Sequence, residues 1–334
     1  MPDDLASGAY FAAVRRNGAA RAARAEHVDG GGGLRRHYVK LCDLADFDDP
    51  ELRARIHEIV PRLEAPADLH RKYWEYAMLT LLLEDIGRLD DETDILSVGA
   101  GHEEVLYWLC NHVRRVVASD IYGEGDFVDR EADAVMLTDP SVFAPYPYRE
   151  DRLEVRRMDA RALAFEDETF DVVFSLSSIE HFGSARDIAR ASSEIGRVLK
   201  PGGFAFIVTE CFTGWHPLNS KLVQTAIRIV TLGRHCEKAT PWRRSIDVFT
   251  PKELLSRIVR PSGLRLVQPM DLTLSTPTHE NVVRCLGGRF EFPNEPFPHI
   301  VVEARGSAFG LRGRTASFTS IALALEKPLS ASCR

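Results

Sequence analysis

Residues 95–110, ILSVGAGHEEVLYWLC, read as an apolar strand, a glycine turn and a helix in immediate succession. The turn Gly99-Ala100-Gly101 lets backbone approach a ligand closely, because glycine has no side chain to hold it off. The helix that follows offers unpaired N–H groups to an anionic or polar ligand group. The stretch therefore predicts a nucleotide-like ligand at the head of an α/β domain, without saying which.

Outward from it, the pattern repeats. VRRVVASDI (113–121) reads as a second buried strand ending in Asp120, and LEVRRMDA (153–160) as a third ending in Asp159. FDVVFSLSSIEHF (170–182) is a fourth, and RDIARASSEIGRVL (186–199) its helix. Lys200-Pro201-Gly202-Gly203 turns into a fifth strand, FAFIVTE (204–210). TPKELLSRIV (250–259) is a capped helix, LRLVQPMDL (264–272) a sixth strand and SFTSIALALEK (317–327) a last one. Continuously apolar strands alternating with helices predict a doubly wound, mostly parallel sheet covered on both faces.

Upstream, residues 1–35 are rich in Ala, Arg and Gly and read as a flexible tail. Residues 36–92 predict a helical cap: Asp49-Pro50-Glu51 is a helix start, and RKYWEYAMLTLLLEDIGRL a helix too apolar for an exposed surface. Its Tyr73, Trp74 and Tyr76 either pack the helix on the sheet or roof a pocket. Insertions stand at 122–151, 211–247 (with an apolar helix at 221–232) and 273–317 in a domain spanning 93–328.

Composition narrows the classes. The apolar fraction of 45% and charged fraction of 27% are those of an ordinary globular protein. A net charge of −7 gives no global attraction for nucleic acid or anionic membrane. No apolar run approaches the roughly 18 residues of a membrane span, and the N-terminus lacks the apolar core of a signal peptide. The cysteines at 42, 110, 211, 236, 285 and 334 show neither CxxC nor zinc spacing. They suit a reducing cytoplasm, and no metal site is expected.

In an open α/β sheet, ligands sit beyond the carboxyl ends of the strands. Asp120 lies 21 residues past Gly99, where a carboxylate can accept from both hydroxyls of a ribose; otherwise it is a loop acid or a cap. A dinucleotide fingerprint would need a third glycine at position 104. Glu103 and Glu104 stand there instead, and their charge would repel a pyrophosphate, which disfavours NAD.

Together these motifs resemble the class I S-adenosylmethionine-dependent methyltransferases. ILSVGAG matches their first motif, VVASD the second-strand acid and RRMDA the third-strand acid. FDVVFSLSSIEHF and LKPGGFAFIVTE match the fourth and fifth strands, so that the register agrees over roughly residues 93–210. The resemblance implies a seven-stranded Rossmann-like sheet and S-adenosyl-L-methionine as cofactor. It places Gly99, Ala100 and Gly101 against the methionine and ribose portions, Asp120 on the ribose and Ile121 on the adenine face. Asp159 and Ala160 would meet the adenine ring, and Ser177 the methionine portion; Asp159 alternatively caps residues 160–164. Two positions depart from the family: its acid before the turn is Ser97 here, counted with the cofactor-side residues, and its third glycine is Glu103.

His181, with Glu180 beside it, is the candidate base, since imidazole titrates near neutrality; a substrate contact or packing are the other readings of His181. Trp215, His216, His235, Trp242, Arg243 and Arg244 form either an aromatic, cationic pocket or a solvated loop, and FAPYPY (143–148) suggests part of a lid. The expectation is methyl transfer to a small molecule, a hydroxyl of a glycan, lipid-linked or secondary-metabolite acceptor. No nucleic-acid partner is expected, because the tetrapeptide NPPY of amino-methylating nucleic-acid enzymes is replaced by SLSSI. A catalytically inactive binding protein of this fold and an NAD-dependent oxidoreductase are the alternatives.

Overall fold

The computed structural model describes residues 33–64, 67–125, 127–128, 130–213, 229, 248–280, 282–286, 289–291, 301–308 and 311–329. Helix α1 (Pro50–Ile59) starts as its sequence predicts. The Asp49 carboxylate accepts from the Glu51 N–H at 2.8 Å, and Pro50 takes the first turn, where its missing N–H has no partner to lose. Helix α2 (Arg71–Asp85) starts at His70, whose ring nitrogen accepts from the Lys72 N–H at 3.1 Å. Every residue from Trp74 to Leu83 is buried. A helix enclosed on all sides needs no polar face, so its sequence is apolar almost all round.

Strand β1 (Asp94–Val98) is buried at all its positions. It pairs in parallel with β2 (Arg115–Asp120) and β4 (Phe170–Leu176), Ile95 lying opposite Val116 and Val172. Helix α3 (Glu104–Cys110) makes the first crossover. Strand β3 (Leu153–Arg157) pairs with β2 after a crossover of 3-10 turns rather than an α-helix. Helix α4 (Ala185–Val198) begins in a capping box of Ser184 and Asp187 and leads into β5 (Leu199–Thr213). Leu199 pairs with Phe170 and Phe204 with Val172. The turn expected at Lys200–Gly203 is instead a bulge inside β5, which starts before it.

Helix α5 runs from Pro251 to Ser262 through a π turn at Leu255–Val259 and ends on Gly263 in the left-handed conformation. Strand β6 (Arg265–Leu266) is far shorter than the apolar run over 264–272 predicts, because Pro269 has no N–H to give a ladder. Helix α6 (Thr276–Glu280), β7 (Val282–Leu286), β8 (Arg289–Glu291), β9 (Val301–Ala308) and β10 (Leu311–Glu326) complete the described elements.

The sheet order is β3-β2-β1-β4-β5-β10-β9-β7-β8, with β6 also on β10. The seven expected strands are β1 to β6 and β10. They form a doubly wound, Rossmann-like sheet, parallel from β3 to β5 and antiparallel where β10 meets β5. The expected seven strands are all present, and β7, β8 and β9, from the insertion at 273–317, extend the sheet to ten. Strand β10 has room for both β6 and β9 because it is 16 residues long: β9 takes Phe318 and residues before it, β6 takes Leu325 and Glu326. The strand order reverses between β1 and β4, which run parallel, and the ends of those strands open on one cavity. Among the described residues no helix is long and apolar enough to cross a membrane. Residues 1–32, and the helix expected at 221–232 apart from Ile229, lie outside the described residues.

Candidate active site

A cavity of about 1330 Å³ lies beyond the carboxyl ends of β1, β2 and β4, lined by Gly99 to Glu104 on one side and Ser177 to Gly183 on another. The turn at its floor is fixed by β2. Gly99 and Ala100 donate their N–H groups to the Ser119 carbonyl at 2.8 and 3.0 Å. Gly101 donates to Asp120 Oδ2 at 2.9 Å and accepts from the Tyr122 hydroxyl at 2.7 Å. Gly99 has φ +69°, and a Cβ there would stand 2.7 Å from Ser178 Cβ. At Gly101 (φ +49°) a Cβ would stand 2.9 Å from the Glu131 carbonyl oxygen. Both glycines are thus required by protein packed over the turn as well as by backbone shape.

The second wall follows β4. Ser177 has φ +50°, a left-handed conformation that costs a non-glycine residue about 1–2 kcal/mol. Its hydroxyl donates to Glu75 Oε1 at 2.8 Å, and the Ser178 hydroxyl donates to the Gly99 carbonyl at 2.7 Å. A 3-10 turn, Ile179–His181, then presents Glu180 and His181. Glu180 is 3% exposed, with Oε2 accepting from Thr209 Oγ1 at 2.7 Å. Burial, then repulsion from Glu210 working against the attraction of His181, lifts it to about 7. His181 is exposed, its ring tilted over Phe127 with centroids 4.9 Å apart.

Helix α2 closes the cavity and brings charge that no strand-end motif announces. Arg71 pairs with Glu210 at 2.5 Å. Lys72 is bonded to Glu103, to the Leu176 carbonyl at 3.1 Å and to Glu75 at 3.4 Å. Burial works against the Lys72 ammonium, but Glu103 and Glu75 overcome it and hold its pKa above the usual lysine value. Burial likewise pushes Glu103 up to about 7, in spite of Lys72. Glu75, 1% exposed, accepts from Ser177, Lys72 and Ser320, the last at 2.6 Å. Nine carboxylates line the cavity against four Lys and Arg side chains, so its field favours a cation.

Of the residues singled out in the sequence, Gly99, Ala100, Gly101, Asp120, Ile121, Asp159, Ala160, Ser177, Glu180 and His181 all line this cavity. Ser97 does not: it is 1% exposed in the middle of β1, where its carbonyl accepts from Ser119 Oγ. Asp120 holds the Gly101 and Ile121 N–H groups, one on each oxygen, and its pKa is raised by burial. Asp159 is gripped by the Arg161 guanidinium at 2.7 to 3.0 Å and caps the Arg161 N–H at 2.8 Å, which lowers its pKa. A turn, not a helix, follows it. The aromatic residues of α2 divide by side: Trp74 is fully buried on Asp46 at 2.8 Å, while Tyr73 and Tyr76 face the cavity. Phe143 and Pro145 of the expected lid also line it. The aromatic and basic residues of 215–244 lie outside the described residues. Sequence reasoning missed Arg71, Lys72, Glu75 and Glu210. In sequence Arg71, Lys72 and Glu75 show only as the charged start of a helix whose later turns are mainly apolar.

Part of the chain is similar to known proteins. Residues 96–207 match the family model described as "Methyltransferase domain". An uncharacterized protein of Escherichia coli, YafE, is 36% identical over 73 residues, covering 22% of this chain and 33% of that protein. A tRNA (carboxymethyluridine(34)-5-O)-methyltransferase of Arabidopsis thaliana is 33% identical over 79 residues, covering 21% of this chain and 20% of that protein. This chain thus spans a third or less of the curated relatives it matches. Among solved structures, one titled as a putative methyltransferase of Bacillus halodurans is 18% identical, with a TM-score of 0.42, over 74% of this chain and 97% of that one.

Proposed function

We propose that the cavity binds S-adenosyl-L-methionine and that the chain methylates a small-molecule hydroxyl, as the match of residues 96–207 to the family model described as "Methyltransferase domain" supports. One observation carries the reading. The Asp120 carboxylate stands at the end of β2, oriented by the Gly101 and Ile121 N–H groups, with an acceptor lone pair to spare on each oxygen. That is the chemistry a ribose diol needs, and the tight turn at Gly99 and Gly101 brings backbone up to the same ligand.

When bound, the cofactor supplies an electrophilic methyl group on a sulfonium. The chain's own task is to bind, orient and remove a proton. Asp120 would hold the ribose, and Ile121, 40% exposed at the cavity, would cover one adenine face. Ala160 would border the ring. Asp159 can serve it only with lone pairs that Arg161 leaves free. Ser177, fixed by Glu75, would border the methionine portion. Positioning of two reactants alone supplies on the order of 7–11 kcal/mol of the barrier. For a hydroxyl acceptor the added requirement is a base. Glu180 meets it better than His181, being buried at the wall with a pKa near the working pH; His181 beside it would contact the acceptor.

The acidic lining supports a small acceptor over nucleic acid, whose phosphates it would repel. A glycan, lipid-linked or secondary-metabolite hydroxyl fits a cavity of this size. The buried, free cysteines Cys42, Cys110 and Cys211 accord with a reducing cytoplasm. Titration calorimetry with S-adenosylhomocysteine and NAD tests the cofactor assignment. Binding of the first and not the second is expected; no binding of S-adenosylhomocysteine refutes it.

A further inference from the structure

Glu103 is a largely buried carboxylate in the cavity wall. It takes the place of a glycine in the family's turn motif, its carboxylate is largely withdrawn from water, and its Oε2 is buried with no hydrogen-bond partner. Its other oxygen is held by Lys72. Lys72 brings one positive charge, whereas Glu103 and Glu75, both bonded to it, bring two negative ones. Asp120 adds a further negative field at Glu103. The cluster is therefore one cation short, and the unpartnered oxygen marks where that cation is missing.

Neither neighbour can answer for it. Ser97, where the family carries an acid, is enclosed in β1 and absent from the cavity. The Asp120 oxygens are already oriented on Gly101 and Ile121. Beside Glu103 stands the Leu176 carbonyl, at present an acceptor for Lys72. A carboxylate oxygen and a carbonyl of this kind suit a primary ammonium, whose three N–H donors need three acceptors.

We propose that Glu103, held in place by Lys72, receives the α-ammonium at the amino-acid end of S-adenosylmethionine, replacing the acid that position 97 lacks. The inference rests on the cofactor reading above. Of the cofactor's parts, the amino-acid end alone carries an ammonium.

Calorimetry with two probes tests it: S-adenosylhomocysteine, and its analogue lacking only the α-amino group. Wild type should bind the first at least about tenfold more tightly, the worth of one charge-assisted hydrogen bond. Glu103→Gln should abolish most of that preference while binding the analogue as wild type does, which also reports an intact fold. Glu103→Asp should restore part of the preference. A preference unchanged in Glu103→Gln overturns the proposal and leaves the cofactor reading standing. Failure of wild type to bind either probe overturns both.

Discussion

Gly87 and Gly99 are a matched pair, with φ of +67° and +69°, but a Cβ at Gly87 meets nothing within 4 Å. Gly87→Ala therefore isolates the left-handed backbone, at about 1–2 kcal/mol. At Gly99 the same methyl would lie 2.7 Å from Ser178 Cβ and 3.0 Å from two Phe182 ring atoms, where carbon atoms prefer about 3.5–4.0 Å. Overpacking of that kind costs about 1–3 kcal/mol more. Displacing Ser178 also endangers its 2.7 Å bond to the Gly99 carbonyl, for about 1 kcal/mol. Gly99→Ala should then lose about 3–6 kcal/mol in urea unfolding, clearly more than Gly87→Ala at an unchanged slope. It should also lose affinity for S-adenosylhomocysteine, which Gly87→Ala should keep. Equal losses of stability for the two variants would show that the wall over the turn yields, and would refute the steric account.

Other outcomes follow from the same geometry. Gly196→Ala sits mid-helix in α4, where propensity favours alanine by about 1 kcal/mol, but its Cβ would fall 1.9 Å from the Ser262 carbonyl oxygen of α5; sterics should win, and a variant as stable as wild type in urea would refute the packing of the two helices. Asp120→Ala should weaken S-adenosylhomocysteine binding at least about tenfold by calorimetry, since it removes a charged acceptor; unchanged affinity would remove Asp120 from the ribose role. Glu180 titrates near 7 when folded and near 4.3 when unfolded, so the folded state holds the extra proton and stability falls as pH rises between those values. Glu180→Gln should flatten that fall and lower turnover about 10²–10⁴-fold with cofactor affinity kept; an unaltered pH slope or wild-type turnover would count against it.

The strands were legible because burial on both faces writes itself as unbroken apolar runs: Asp94–Val98 and Phe170–Leu176 start and stop close to where ILSV and FDVVFSL do. The caps at Asp49 and Thr250 were legible as well, since each sets a short polar side chain before a helical pattern. Long-range pairing was not. Nothing in VVRCL or VVEARGSA says that β9 adds to β10 and β7 to β9, because register across a sheet depends on partners distant in sequence. The strand-end positions of the cavity could be read from motif spacing, whereas Arg71, Lys72 and Glu75 could not. In sequence they are an ordinary charged helix start, and only the packing of α2 over the ends of β4 and β5 turns them inward.

That packing bears on which parts of the chain hold the cavity together. Glu75 joins three elements at one buried carboxylate: α2 through Lys72, the strained end of β4 through Ser177, and β10 through Ser320. Removing one partner from such a buried charged network costs several kcal/mol, so the helix and the sheet stand or fall together at this point. The matched region, 96–207, holds the glycine turn, Asp120, Asp159 and Glu180. It contains neither Arg71 nor Glu75, nor Glu210 on which Arg71 is fixed. On the proposed reading, the glycine turn, Asp120 and the groups that meet the acceptor, Glu180 and His181, belong to the matched domain, and the helix that fixes Glu103 and Ser177 at the cofactor's amino-acid end is delivered from outside it.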